Sequence, residues 1–203
     1  MITIGLTGNI SSGKSTVSRY LAGIGARIID ADQISRDIVL PGSPALTEII
    51  NYFGHDVLDH SGELDRKHLG ELVFANQEAL EVLNGITHPR ILEAIMNEKK
   101  DFAVQVNNGN AIIVIDAPLL IETGLHEYVD EIWVVTIEPG IQMQRLMLRD
   151  KISEEEARKR IASQMPQDEK VKFAHVIIDN SGSPEDTINQ VRQRVAELNE
   201  ELH

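Results

Sequence analysis

Residues 8–15 have the sequence Gly8-Asn9-Ile10-Ser11-Ser12-Gly13-Lys14-Ser15, which matches G-x-x-x-x-G-K-[ST], the pattern of a phosphate-binding loop. A short apolar segment at residues 1–6 precedes the loop and predicts a buried strand. Apolar residues recur at helical spacing after it, at Val17, Tyr20, Leu21 and Ile24. A glycine loop between a strand and a helix directs backbone N–H groups into one concavity at the positive end of the helix. The stretch therefore predicts binding of a nucleoside triphosphate.

Individual residues of this loop have predicted roles. Gly8 and Gly13 are expected to take positive φ and to let the backbone approach a ligand closely. Lys14 can reach the β and γ phosphates, and the hydroxyl of Ser15 can ligate Mg²⁺. The expected ligand is therefore a nucleoside triphosphate with Mg²⁺.

Length and composition narrow the class of protein. The chain has 203 residues, 42% of them hydrophobic and 25% charged, which predicts a single soluble globular domain. The net charge of −13 argues against general nucleic-acid binding. We expect no membrane span and no signal peptide, because no apolar run is long enough and the N-terminus is strand-like. The absence of cysteine excludes disulfides and fits a cytoplasmic location.

Acidic residues follow the second predicted strand, residues 26–29. Ligands of open parallel sheets lie beyond the carboxyl ends of the strands, so Asp30 and Asp32 are expected near the phosphate loop. Strand alternation would put both on the same side, where they can hold Mg²⁺ through water or act as a base toward a hydroxyl. Alternatively, one of them caps the helix that begins near Gln33.

Asp116 follows the most apolar predicted strand, residues 111–115. An acidic residue in this position, paired with a phosphate loop, favours a Walker B role in orienting Mg²⁺. Such residues also occur merely as turn formers at strand ends. Glu122 lies in a loop expected over the same edge.

Residues 33–106 show helical patterns and no convincing strand. Ser43 and Asp65 are predicted helix caps, and Gly54 is a predicted C-cap. His88-Pro89 predicts a break before a long helix at residues 90–106. We interpret the segment as a helical insertion that binds the second substrate, with a purely packing role as the alternative.

A turn cluster is predicted at residues 107–110, a fourth strand at residues 131–137 and a fifth at residues 175–178. Residues 141–165 lie between the fourth and fifth strands. The segment is predicted to form a helix pair with several arginines, which resembles the lid of small P-loop kinases that closes over the triphosphate. The alternative is a solvated face with Glu154–Arg158 and Glu156–Arg160 pairs. We favour the solvated face for Arg158 and Arg160 and function for Arg145 or Arg149.

Together these features favour phosphoryl transfer to a small acceptor. The chain has no Asn-Lys-x-Asp guanine-reading motif, and residues 116–119 lack the glycine of a GTPase switch. In such transfer the protein mainly positions groups and neutralises charge.

The chain resembles the dephospho-coenzyme A kinase family over nearly its full length. The shared features are residues 6–16, Asp30-Ala31-Asp32, Arg36, Pro41-Gly42, Leu64-Asp65-Arg66, Phe74, Leu83-Asn84, His88-Pro89, Pro118-Leu119-Leu120 with Glu122, Gln144-Arg145-Leu146, Arg149, Gln164 and Asn180. Position 9 is often glycine in that family and is Asn here, a residue that tolerates positive φ.

The resemblance implies an α/β, P-loop kinase-type three-layer fold with a five-stranded parallel sheet. It also implies a single domain over residues 1–203, with a core of about 1–32, 107–140 and 166–203. The acceptor-binding insertion would be residues 33–106 and the helical lid residues 141–165. The implied reaction transfers the γ-phosphoryl group of ATP to the ribose 3′-hydroxyl of dephospho-coenzyme A, the last step of coenzyme A synthesis.

The resemblance also implies roles for residues. Asp32 would be the base on the 3′-hydroxyl, and Lys14 and Ser15 would handle phosphate and Mg²⁺. The patterns described above, rather than the resemblance, predict that Arg145 and Arg149 assist transfer and that Asp116 holds Mg²⁺ with Ser15. ATP would be bound by Gly8, Asn9, Ile10, Ser11, Ser12, Gly13, Lys14, Ser15, Thr16 and Asn180. The acceptor would be bound by Asp32, Arg36, Arg66, His88, Pro118, Leu119 and Glu122. A kinase acting on a nucleoside monophosphate or another metabolite, and a non-catalytic nucleotide switch, remain alternatives, and the oligomeric state is left open.

Overall fold

The computed structural model describes residues 1–74, 76–106 and 111–201, so the turn cluster predicted at residues 107–110 lies outside the described residues. One sheet contains five parallel strands in the order β2-β3-β1-β4-β5. Their bounds are β1 Ile2–Thr7, β2 Arg27–Asp30, β3 Ile112–Asp116, β4 Glu131–Thr136 and β5 Val176–Asp179. The α/β fold with a five-stranded parallel sheet is confirmed.

The helices of the described residues are α1 Lys14–Gly23, α2 Ala31–Asp37, α3 Pro44–Phe53, α4 Arg66–Phe74, α5 Gln77–Gln105, α6 Pro139–Asp150, α7 Glu154–Ala162, α8 Gln167–Val171 and α9 Pro184–Glu201. Helix α8 has no counterpart among the sequence predictions. The predicted caps are confirmed: Ser43 accepts from the Leu46 N–H, Asp65 from the His68 N–H, and Gly54 ends α3 with φ 86°.

The chain divides into two compact units, residues 1–29 with 101–203 and residues 30–100. In the first, apolar side chains from the sheet, α1 and α9 form the core around the fully buried Trp133. In the second, the core lies among α3, α4 and the start of α5 and includes Ala45, Ile49 and Leu69. Each unit therefore has a hydrophobic core of its own.

The register of β1 determines what meets at the carboxyl edge of the sheet. Leu6 in β1 pairs with Asp116 in β3, and Thr7 pairs with Val134 in β4. The phosphate loop therefore leaves β1 directly beside the last residue of β3.

The predicted helix break at His88-Pro89 is wrong, because α5 continues through Pro89. Proline removes one backbone donor from a helix interior. Nearby side chains supply other donors to the carbonyls of this turn: Thr87 Oγ1 donates to Leu83 O at 2.9 Å and Arg90 Nη1 to Ile86 O at 2.6 Å. A helix of 29 residues tolerates the loss of one bond because its other turns stay paired.

Ile24 and Leu72 are apolar residues of helical segments, yet both are exposed. Ile24 is 46% exposed because α1 ends at Gly23 and Ile24 only caps it. Leu72 is 39% exposed, and its neighbour Val73 packs into the core of the second unit instead.

Candidate active site

The phosphate loop joins β1 to α1 in the predicted strand–loop–helix order. Gly13 is the N-cap of α1 and has φ 90°, so its predicted left-handed conformation is confirmed. Ser11 also takes a positive φ, of 60°. The first turn of α1 begins at Lys14, so the positive end of this helix faces the loop.

Gly8 was predicted to need positive φ, and this is wrong, because its backbone is not among those with positive φ. Its constraint is close packing. A Cβ at position 8 would lie 2.7 Å from the Val135 carbonyl oxygen and 2.6 Å from Ser12 Oγ. Glycine is therefore needed there to let the loop start against β4.

Asn180, directly after β5, fixes the other end of the loop. Its side-chain amide donates to the Ser12 carbonyl at 2.7 Å and accepts from Thr187 Oγ1 at 2.8 Å. A Cβ on Gly13 would lie 1.8 Å from Asn180 Nδ2. Asn180 thus supports the backbone of the loop, and Thr187, fully buried in α9, orients it. Sequence reasoning missed Thr187, because nothing in its local pattern distinguishes it from an ordinary helix residue.

Lys14 forms an ion pair with Asp116 at the end of β3. The side chains are 18% and 12% exposed, respectively. The strand register brings the two together, since Asp116 lies opposite the last residues of β1. A carboxylate thus lies at the lysine end of the loop, as the sequence predicts.

Buried oxygen atoms in the loop lack partners among the described residues. They are Asn9 Oδ1, Ser11 Oγ and Ser12 Oγ. Leaving a buried polar group unsatisfied costs about 1–3 kcal/mol. Such groups cluster where a ligand supplies the missing hydrogen bonds, so their concentration in this loop supports a ligand site.

A cavity of about 570 Å³ opens over the loop. It is lined by residues 8–16 together with Pro118, Arg145, Arg149, Gln164, Asn180 and Pro184. The structure thus brings the predicted loop residues, both predicted arginines and Asn180 to one space. Leu119 and Glu122 are not among the residues described as lining it.

Both ends of the predicted lid, residues 141–165, are hydrogen-bonded to the loop. Gln142 Nε2 donates to Ile10 O at 2.8 Å, and Gln164 Oε1 accepts from Ile10 N at 2.7 Å. Asn9 Nδ2 donates to Met165 O at 2.9 Å. Position 9 therefore has a structural task, and Gln142 is a loop contact that sequence reasoning missed.

The arginines of α6 and α7 differ in their partners. Arg149 Nε donates to Asp150 at 2.7 Å, and this hydrogen bond raises the pKa of Arg149 and lowers that of Asp150. Asp150 also pairs with Arg160 at 2.7 Å, which joins the two helices. The predicted Glu154–Arg158 and Glu156–Arg160 pairs are present, at 2.5 and 3.2 Å.

In the second unit, Asp30 is the cap and Asp32 is not. Asp30 Oδ1 accepts from Gln33 N at 3.0 Å, and Asp32 lies exposed in the first turn of α2. We expected both residues to share one side of a strand. That expectation is wrong, because Asp30 ends β2 and Asp32 belongs to the helix.

The other predicted acceptor residues of this unit lie in three of its helices: Arg36 in α2, Arg66 in α4 and His88 in α5. Arg66 Nη2 donates to Ser35 O at 3.3 Å, and Arg66 lines a cavity of about 230 Å³ with Asn84. Partial burial, and then the charge of Arg36, lowers the pKa of Arg66. Burial also lowers the pKa of His88, which favours its neutral form.

The oxygen donors at the loop suit Mg²⁺. Within the described ranges, no group of three or more His, Cys, Asp or Glu side chains could hold a metal by itself. Mg²⁺ keeps several waters and usually takes one or two protein oxygens plus substrate phosphates. The Ser15 hydroxyl, at the cavity, and the Asp116 carboxylate, which pairs with Lys14, are oxygen ligands of the type that Mg²⁺ takes.

Comparison with known proteins identifies the family. The family model described as dephospho-CoA kinase matches residues 2–186. A dephospho-CoA kinase of Carboxydothermus hydrogenoformans is 51% identical over 188 residues, which are 93% of this chain and 90% of that protein. The chain belongs to the dephospho-CoA kinase family.

Solved structures agree with this membership. A Thermus thermophilus protein has a TM-score of 0.81 and 32% identity, over 97% of each chain. A dephospho-CoA kinase from Campylobacter jejuni has a TM-score of 0.71 and 31% identity, over 97% of this chain and 96% of that one. The predicted P-loop kinase-type fold is therefore confirmed, and this chain shares it with a solved dephospho-CoA kinase. In the part of the chain that the structure describes, no helix is both long and apolar enough to cross a membrane.

Proposed function

We propose that this protein transfers the γ-phosphoryl group of ATP to the ribose 3′-hydroxyl of dephospho-CoA, giving CoA and ADP in the last step of CoA synthesis. Both substrates are small molecules, and we place the reaction in the cytoplasm without a nucleic-acid or membrane partner. The observation that carries the proposal is the cavity over the loop. Lys14, Arg145 and Arg149 line one space there, over a loop whose buried side-chain oxygens lack partners among the described residues, in a chain that matches the family over residues 2–186.

On the donor side, the loop and its neighbours neutralise phosphate charge. The N-terminal N–H groups of α1 favour an anion at the loop. Lys14 supplies a cation, and Arg145 and Arg149 add charge from α6. Preorganised cations of this kind stabilise a transferring phosphoryl group more than they stabilise the ground state. Asn180 and Thr187 keep the Ser12–Gly13 backbone in place while this happens.

Mg²⁺ would be held by the Ser15 hydroxyl and the Asp116 carboxylate, and when bound it would neutralise the phosphates and orient them. Asp116 also provides a counter-charge for Lys14.

On the acceptor side, the second unit offers groups that suit the diphosphate and ribose of dephospho-CoA. Arg36 and Arg66 are close enough for one charge to lower the pKa of the other, so an anion between them would relieve their repulsion. Burial favours the neutral form of His88, which can donate or accept a hydrogen bond to the acceptor. Asp32 orients the 3′-hydroxyl and takes its proton. Pro118 and Leu119 would contribute apolar contacts to the acceptor.

The roles proposed for Glu122 and Asp30 are structural. Glu122 pairs with Lys170 at 2.9 Å, and Asp30 caps α2. Each residue thus has a contact that explains its presence, and the acceptor contact expected of Glu122 stays a prediction.

The function is tested by ADP release with a panel of acceptors. We expect ATP- and Mg²⁺-dependent turnover with dephospho-CoA well above that with AMP, adenosine, shikimate or pantothenate. Identification of CoA as the product, phosphorylated at the 3′-oxygen, completes the test. A preference for another acceptor would overturn the substrate assignment, and ATP binding without acceptor-dependent turnover would favour a nucleotide switch.

A further inference from the structure

Lys170 is a fully buried cation for which the proposed reaction has no use. It lies in α8, and its side chain is 0% exposed. Its Nζ donates to the Pro118 carbonyl at 2.6 Å and pairs with Glu122 Oε1 at 2.9 Å. Both partners belong to the segment that follows β3. The lysine therefore connects α8 to residues 116–122.

Burying this charge needs a reason. Removing an ammonium ion from water costs several kcal/mol even after relaxation, and an apolar side chain of similar volume is often at least as stable in such a place. Charge-assisted hydrogen bonds to a carboxylate and a carbonyl offset the cost. A Met at position 170 could fill the same space, but it could not donate to Pro118. What the lysine adds is thus a fixed position for its partners.

The partner that matters for the site is Pro118. Its carbonyl accepts a second hydrogen bond from Thr7 Oγ1 at 3.0 Å, and its ring lines the cavity over the phosphate loop. Thr7 is the last residue of β1, so Pro118 O is held from the strand and from α8 together. Two residues earlier in the same segment, Asp116 meets Lys14. A shift of Pro118 would therefore change the position of Asp116 relative to Lys14.

Helix α8 is itself attached to the loop on its N-terminal side. Gln164 and Met165, just before α8, bond Ile10 and Asn9 of the loop. Gln167, at the start of α8, accepts from Ile137 N at 2.9 Å and donates to Ile137 O at 3.2 Å. The base from which Lys170 extends is thus fixed to the sheet and to the loop.

We propose that Lys170 is a positioning residue of the ATP site, which through Pro118 and Glu122 holds residues 116–122 where Asp116 meets Lys14. The proposal deepens the proposed function and rests on it for the identity of the nucleotide. Lys170 does not touch the ligand. Its loss therefore weakens ATP binding and transfer through a displaced Asp116 and Pro118.

The test compares Lys170→Met, Glu122→Gln and the double variant Lys170→Met/Glu122→Gln. The matched control is Lys172→Met, which removes an exposed lysine just after α8 that pairs with Glu169 at 2.6 Å. For each protein we would measure the melting temperature, the Kd for ATP by calorimetry, and kcat and KM for ATP, well below the melting temperature.

We expect the single Lys170 variant to lose stability, because Glu122 is left partly buried without its cation. The double variant should regain most of the melting temperature, since no unpaired charge remains. Its kcat/KM for ATP should nevertheless stay roughly tenfold or more below wild type, which corresponds to about 1.4 kcal/mol. Lys172→Met should match wild type in all measurements.

Recovery of kcat/KM together with the melting temperature in the double variant would overturn the proposal, because activity would then follow stability alone. Wild-type ATP affinity and kcat/KM in folded Lys170→Met would overturn it too. If neither Lys170 variant folds, the test is made with Thr7→Val, which removes the other donor to Pro118 O. The proposal requires Thr7→Val to lower kcat/KM for ATP, and an unchanged value would overturn it. If the wild-type protein shows no turnover with dephospho-CoA, the proposed function is contradicted. The Kd values for ATP would still test the positioning role of Lys170.

Discussion

Lys14 of the phosphate loop and Asp116 at the end of β3 form an ion pair in which both side chains are mostly buried. A lysine that serves a phosphate must be available to it, and here its charge is matched by a carboxylate on the neighbouring strand. The two tasks predicted for these residues, phosphate contact and Mg²⁺ orientation, are thus assigned to one pair. Variants of each member should separate the tasks.

Lys14→Ala should nearly abolish turnover while the fold persists. Lys14 lies at the first position of α1 beside the cavity, so little core packing is lost. Losing a preorganised cation at the transferring group should lower kcat by about 10²-fold or more. Steady-state kinetics at saturating ATP and a far-UV circular dichroism melt are the measurements. A near wild-type rate would contradict the role of Lys14.

Asp116→Asn should change the Mg²⁺ dependence of the reaction. The amide keeps the size of the side chain but is a weaker Mg²⁺ ligand than a carboxylate. We expect the Mg²⁺ concentration for half-maximal rate to rise, and kcat to fall, at saturating ATP. A matched control is Asp150→Asn, which removes a carboxylate that links α6 to α7 instead. An unchanged Mg²⁺ titration would leave Asp116 only as the counter-charge of Lys14.

Residues 141–165 should show slower hydrogen exchange when ATP and an acceptor analogue bind. Gln142 and Gln164 hold the two ends of this segment on Ile10 of the loop. We therefore expect the change to be largest between those anchors, in α6 and α7, and negligible in β4. Unchanged exchange in α6 and α7 under conditions of proven binding would refute the closure of a lid.

The acid stability of the protein should depend on His88. Burial lowers the pKa of His88 from its ordinary 6.5, so protonation favours the unfolded chain. Its contribution is fully present above pH 6.5 and is lost as the pH falls from 6.5 toward the lower folded-state pKa. His88→Gln should therefore flatten the fall of the melting temperature over that range. Parallel curves for wild type and His88→Gln would exclude this linkage.

Local rules predicted much of this structure. The loop, the apolar strands and the caps at Ser43 and Asp65 follow from short patterns, and the structure confirms each of them. Strand ends then locate Asp116, because parallel strands present their carboxyl ends on one edge. The continuous α5 shows where a local rule fails, because Pro89 is tolerated in the interior of a long helix.

The residues that sequence reasoning missed act through distant contacts. Lys170 bonds a carbonyl 52 positions earlier, and Gln142 bonds one 132 positions earlier. No periodicity or spacing marks such residues, since their partners are known only once the chain has folded. Thr187 is similar, because its importance comes from Asn180 and the loop carbonyl that Asn180 holds. The roles proposed for Asp32, Arg36, Arg66 and His88 stay predictions.

Asp32→Asn gives the sharpest test of the proposed chemistry. A ribose hydroxyl is a poor nucleophile at neutral pH, and a carboxylate within hydrogen-bond distance can orient it and accept its proton. In α2 the capping task belongs to Asp30, whose side chain accepts from Gln33 N, so the cap does not explain Asp32. We expect Asp32→Asn to keep its ATP affinity and melting temperature and to lose roughly 10²- to 10⁴-fold in kcat.

The matched control for Asp32→Asn is Asp30→Ala, two residues away. Removing the cap should cost about 1 kcal/mol of folding stability and lower the melting temperature, with kcat largely unchanged. Asp32→Asn should thus lower kcat and leave the melting temperature unchanged, whereas Asp30→Ala should lower the melting temperature and leave kcat largely unchanged. If kcat of Asp32→Asn falls less than about threefold, far short of the loss expected for an acid–base group, Asp32 is not the base. A large loss of kcat in Asp30→Ala, measured well below its melting temperature, would transfer the role to Asp30.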